Sequence, residues 1–217
     1  MLVLTVHRTG CGVDYPEQVG APANDIFARV NHSEDQELDK AIAKCGHNIK
    51  DVKGVIMGHL HLDHAGGLHH FKGTDVPIYV HEAELKHAYY CVATKTDPGV
   101  YFAKDLDTNL NWKAMHGDSW ELAQGVIMHK SAGHTPGLCI MQLNMPISGT
   151  WIWTSDQYHV KENYGGTPQG WLARDHDAWV KSDQMIRQMA RTTNAKVVLG
   201  HCKETLSKYE VAPHYYQ

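Results

Sequence analysis

No stretch of the 217 residues approaches the ~20 consecutive apolar positions that a membrane-spanning helix requires. The opening Met-Leu-Val-Leu-Thr-Val is too short for a secretory core and reads instead as a buried strand. Basic clusters are missing as well. Twenty Lys and Arg stand against 24 Asp and Glu, giving a formal charge of -4, which argues against nucleic acid and anionic membrane as partners. Cysteine is sparse: Cys11, Cys45, Cys91, Cys139 and Cys202 are odd in number and never in CxxC spacing. That excludes a disulfide framework and a thiolate zinc site, and points to a reducing, cytoplasmic setting. Low-complexity tracts, linkers and fixed-period repeats are also absent, so residues 1–217 are expected to form a single domain.

Histidine is what the chain has in excess, with 17 residues. The surrounding pattern predicts alternating strands and helices. Residues 33–46 read as a helix, opened by a Ser33/Gln36 capping box and closed at Gly46. Val55–Met57 and Pro77–Val80 read as strands, and a helix follows from Glu82 to about Ala93. Residues 95–118 show no clear period and are expected to form a long loop or lid, whose Tyr101, Phe102, Trp112 and Met115 either wall a pocket or pack in the core. Gly125–His129, Leu138–Leu143 and Thr150–Thr154 read as consecutive strands. A last helix from about Asp175 places Trp179, Ser182, Ile186 and Met189 on one face and leads to the strand Val197–Leu199. Interleaved strands and helices indicate a layered α/β domain.

Gly-His recurs as Gly58-His59, Gly133-His134 and Gly200-His201, twice directly after apolar strands, and such strand ends can converge on one point. The richest segment is His59-Leu60-His61-Leu62-Asp63-His64-Ala65-Gly66-Gly67. In extended backbone His59 and His61 point the same way and can share a metal. Asp63 and His64 then fall at a bend, where they can face a second ion. Imidazole and carboxylate without sulfur suit zinc, with manganese, cobalt or iron also open. His69, His70, His81, His87, His116, His129 and His176 fit no such pattern and are expected at the surface or in packing roles.

His-x-His-x-Asp-His resembles the signature of the metallo-β-lactamase superfamily, a four-layer αββα sandwich. Later landmarks match in order: Ser131 to Gly137 around His134, Thr154-Ser155-Asp156, and Leu199-Gly200-His201. The resemblance implies two divalent metal ions, zinc first among them. It implies that His59, His61 and His134 hold one ion, that Asp63, His64 and His201 hold the other, and that Asp156 bridges both. The family's first strand ends in Asp-Thr-Gly. Here Thr9-Gly10 match, but Arg8 stands at the Asp position with little sequence ahead of it, so the first N-terminal strands are expected to be lacking.

Asp156 to Asn163, with Lys161-Glu162-Asn163, is similar to the N-acyl-homoserine lactonase branch. That likeness implies opening of a small lactone ring by hydroxide held between the metals, with a lactam such as a benzoxazolinone as the alternative substrate. A catalytically impaired metal-binding homologue is a third reading. The branch carries a substrate-touching Tyr three residues after the Asp. His159 occupies that position, and Tyr158 precedes it, so either one is a candidate for the oxyanion donor. Asp63 is a candidate for carrying the proton to the leaving group, or a ligand only. A homodimer stays open. A thioesterase of the glyoxalase II type is disfavoured because no basic cluster for glutathione is seen, and a nuclease because of the net charge.

Overall fold

The computed structural model describes residues 4–20, 23–30, 32–97 and 99–217. It divides into two compact units, Met1–Val80 with Leu85–Ala114, and His81–Glu84 with Met115–Gln217.

The first unit is built around a four-stranded sheet in the order β1-β2-β3-β4: β1 (Thr5–His7), β2 (Gly54–Ile56), β3 (Pro77–His81) and β4 (Asn111–Met115). The pairs β1/β2 and β2/β3 are parallel, with Val6 beside Val55 and Val55 beside Ile78. All three residues of β2 are buried, as expected of a central parallel strand. By contrast β1 is an edge strand and only partly covered, so the expected buried opening strand is half-exposed; Met1–Val3 lie outside the described residues. Around the sheet stand α1 (Tyr15–Val19), α2 (Ala23–Ile26), α3 (Leu38–Lys44), α4 (Leu62–Ala65) and α5 (Glu82–Thr94). The helix expected over 33–46 is broken at Glu37 into a 3-10 turn, Glu34–Gln36, and α3. The Gln36 side chain does accept from the Ser33 N–H at 3.3 Å, as a capping box requires.

The expected lid at 95–118 is a correction. Tyr101, Leu106 and Leu110 are core residues of this unit, Ala103–Leu106 is a 3-10 turn, and β4 joins the sheet. Its run Asn-Trp-Lys-Ala-Met has too little alternation to announce a strand, and sheet pairing decides it.

The second unit carries a five-stranded sheet, β5 (Ser119–Ala123), β6 (Val126–Lys130), β7 (Cys139–Met145), β8 (Gly149–Trp153) and β9 (Lys196–Val198), in that order. Neighbours are antiparallel up to β8, and β9 runs parallel to β8. α6 (Lys161–Tyr164), α7 (His176–Thr193) and α8 (Lys203–Leu206) complete it. α7 starts where the Asp175 side chain accepts from the Ala178 N–H at 2.9 Å and ends on left-handed Asn194. Trp179, Ser182 and Ile186 form its buried stripe. Trp179 and Ile186 pack with Leu138, Ile140, Ile152 and Tyr158 in the core of this unit. Among the described residues no helix is long and apolar enough to cross a membrane.

Candidate metal centre

In the first unit the chain leaves β2 through Met57, bends at Gly58 and turns into α4, with His61 at its N-cap. Leu60, between His59 and His61, is part of the core (1% exposed). Their rings meet edge to face at 4.6 Å between centroids, and the His64 ring lies 4.0 Å from that of His59. All three imidazoles are buried, whereas the Asp63 carboxylate is partly exposed and lies 3.1 Å from His64 Nε2. Thr9 pins the segment. Its Oγ1 donates to the His64 carbonyl at 2.7 Å and accepts from the Gly67 N–H at 3.1 Å. A Cβ on Gly66 would stand 2.0 Å from the Gly12 nitrogen, and one on Gly67 2.5 Å from the Thr9 oxygen. The Gly-Gly of the motif therefore exists to let this backbone lie against the Thr9 strand end. Burial and the Asp63 carboxylate push the nearby Cys11 thiol up to about 12.

The second unit brings together the landmarks after β6, β8 and β9. Thr154 closes β8 by hydrogen-bonding the Val198 carbonyl through both its N–H and its hydroxyl, which sets Asp156 beside the end of β9. Gly200 and His201 donate their N–H groups to the carbonyls of Tyr158 and His159, both at 2.9 Å. A Cβ on Gly200 would be 2.2 Å from the Ser155 oxygen, so glycine is required where these two segments touch. The result is a convergence of imidazole nitrogens on one carboxylate oxygen, Asp156 Oδ2: His159 Nε2 and His201 Nε2 at 3.2 Å, His134 Nε2 at 3.6 Å. The rings of His159 and His201 stack at 5.1 Å. Donor atoms of His134, Asp156 and His159 all lie within 4.8 Å of one another. Gathered imidazoles that shared no cation would repel one another once protonated, whereas neutral imidazoles and carboxylates are the ligand set zinc prefers. In chemistry, the donors of each unit fit a divalent metal.

Tyr158 is not brought to this cluster. In extended backbone it points opposite to His159, is fully buried against Tyr164 and Trp179, and donates its hydroxyl to Asp183 Oδ1 at 2.7 Å. Burial and Asp183 push its phenol well above the ordinary range. Of the histidines set aside from the sequence, His81 accepts from the Ala83 N–H at 3.0 Å at the start of α5, and His129 pairs with Gln142 at 3.0 Å. His176 lies parallel to Trp179. Sequence reading missed Gln169 and Leu172, which hold His159 and His134 from behind. Nothing in Thr-Pro-Gln-Gly-Trp-Leu marks them, because one acts through an unremarkable amide and the other through its backbone.

Residues 30–201 match the family model of the metallo-beta-lactamase superfamily. The chain belongs to that superfamily. It is 30% identical over 190 residues to the N-acyl homoserine lactonase AttM of Azorhizobium caulinodans, covering 84% of this chain and 70% of the relative. An N-acyl homoserine lactonase of a Bacillus species is 28% identical over 183 residues, covering 84% of this chain and 69% of the relative. A solved N-acyl homoserine lactone hydrolase, with N-hexanoyl-L-homoserine bound at its catalytic metal centre, superposes with a TM-score of 0.81 at 23% identity. That likeness spans 98% of this chain and 82% of the solved one, and it shows the α/β fold with its two sheets.

Proposed function

We propose that this protein is a metal-dependent hydrolase that opens N-acyl-homoserine-lactone-like rings. The observation that carries the reading is the convergence of His134, His159 and His201 nitrogens on Asp156 Oδ2, in a chain whose relatives are N-acyl homoserine lactonases. By the family likeness His59, His61 and His134 would hold one divalent ion and Asp63, His64 and His201 a second, with Asp156 completing the set, and zinc is the metal these nitrogen and oxygen donors favour. When bound, such ions supply hydroxide near neutral pH and polarise a carbonyl.

The chain's own residues then have separable tasks. Thr9 holds the loop that carries His64 and Asp63. Asp63, the partly exposed carboxylate of the first unit, would take the proton given up by the attacking water and pass it to the departing ring oxygen. His159 donates a hydrogen bond to the ring carbonyl oxygen, the task that the sequence left open between it and Tyr158. Tyr158 is a packing residue. The test is zinc-loaded protein incubated with acyl homoserine lactones, a benzoxazolinone-type lactam and a thioester, with products identified by mass. Lactones should gain the mass of one water; turnover of the lactam or thioester with intact lactones would overturn the reading.

A further inference from the structure

The turn made by Gln169 and the 3-10 segment Gly170–Leu172 reaches two imidazoles of the second unit with opposite chemistry. The Leu172 carbonyl lies 2.8 Å from His134 Nδ1. A carbonyl can only accept, so His134 Nδ1 carries a proton and its Nε2 keeps the lone pair that a metal needs. Gln169 faces His159 the other way. Its amide nitrogen is 2.8 Å from the Asp156 carbonyl and 2.6 Å from His159 Nδ1. The Asp156 carbonyl settles the orientation of this amide, since an oxygen turned toward it would meet an acceptor with an acceptor. The amide must place NH2 there, and the second hydrogen of that group points at His159 Nδ1. Gln169 is 8% exposed, and its Oε1 is buried without a partner, a cost tolerated to keep the nitrogen in place. Nδ1 of His159 is therefore an acceptor, and a neutral ring must carry its proton on Nε2, the atom 3.2 Å from Asp156 Oδ2.

We propose that Gln169 is a positioning residue that locks His159 in the Nε2–H tautomer, making it a hydrogen-bond donor of the site and not a metal ligand. By distance alone His134, Asp156 and His159 form a metal-holding trio. The hydrogen bonds divide them: the same turn leaves a lone pair on His134 and an N–H on His159. Aiming that N–H at a ring carbonyl rests on the lactonase reading above; the tautomer does not.

The test is nitrogen NMR of histidine-labelled full-length protein, zinc-loaded and again after chelation, with His159 signals identified by their loss in His159→Phe. Expected is an unprotonated Nδ1 and a protonated Nε2 on His159 in both states, and the reverse protonation on His134. Gln169→Glu, whose carboxylate accepts, should invert His159. It should also lower kcat for an acyl homoserine lactone by roughly tenfold or more with little change in KM. A wild-type His159 that carries its proton on Nδ1, or that loses the Nε2 proton when zinc is added, overturns the proposal whether or not the variant folds. Expected tautomers in a protein that opens no lactone would sink the lactonase reading and leave the positioning role standing.

Discussion

Thr9→Val removes one oxygen and almost no volume, which makes it a clean test of how the first unit holds its histidines. Thr9 is 5% exposed, and its hydroxyl makes two hydrogen bonds, to the His64 carbonyl and from the Gly67 N–H. The His64 carbonyl keeps a second donor, the Thr9 N–H at 2.8 Å, so its loss is one neutral hydrogen bond, ~0.5–1.5 kcal/mol. The buried Gly67 N–H is left with no acceptor, at ~1–3 kcal/mol. Together the variant should lose about 1.5–4.5 kcal/mol, and a chain of this size melts ~2–4 °C lower per kcal/mol. The assay is urea and thermal unfolding of chelated protein, because bound metal would add its own stabilisation and mask the difference. Thr9→Ser keeps the oxygen and should stay within about 1 kcal/mol of the parent. Coincident midpoints for the valine and serine variants would refute the claim that this hydroxyl anchors the motif loop.

Other outcomes follow from the residues of the two clusters. His61→Ala should lower bound zinc by about one equivalent per chain, measured by elemental analysis, since a three-ligand site rarely survives loss of an imidazole. His159→Phe should lower lactone turnover roughly ten- to a thousandfold with the fold intact. Tyr158→Phe should leave turnover unchanged and destabilise by about 1.5–3 kcal/mol, the worth of a bond to the Asp183 carboxylate; the reverse ranking would place Tyr158 at the substrate. Acid should weaken the metal-free fold. Burial, with Arg8 and His64 nearby, holds His7 down to about 3, and burial lowers His129 as well. Both folded values lie below the ordinary ~6.5, so the unfolded chain takes up protons first. Stability is thus full above about pH 7 and is lost as pH falls below ~6.5, by up to ~1.4 kcal/mol per pH unit for each group. His7→Gln should flatten that slope in denaturation midpoints taken across the range; an unchanged slope would exonerate His7.

What could be read in advance was local. His59 to Gly67 announces its chemistry because ligands must crowd within a few residues when one loop carries them, and α7 shows its stripe because helix period and capping are written in adjacent positions. The order of landmarks also placed Asp156 and His201 at strand ends, where the structure puts them, following β8 and β9. Short elements with weak alternation were not legible. β4 depends on a partner strand far away in the chain, and the break at Glu37 on local backbone that propensity does not resolve.

The Tyr158 and His159 choice shows the division most plainly. The likeness to the lactonase branch narrowed the candidates to two adjacent side chains, and the Lys161-Glu162-Asn163 triplet set His159 at the branch's tyrosine position. What the sequence could not show is the packing that separates them, with Asp183 and Trp179 from α7 around Tyr158 and Asp156 and His201 around His159. The proton on His159 lies one step further from the sequence. Gln169 becomes meaningful only when folding sets its amide between the Asp156 carbonyl and His159 Nδ1, for a tautomer is fixed by whatever the far nitrogen meets in space.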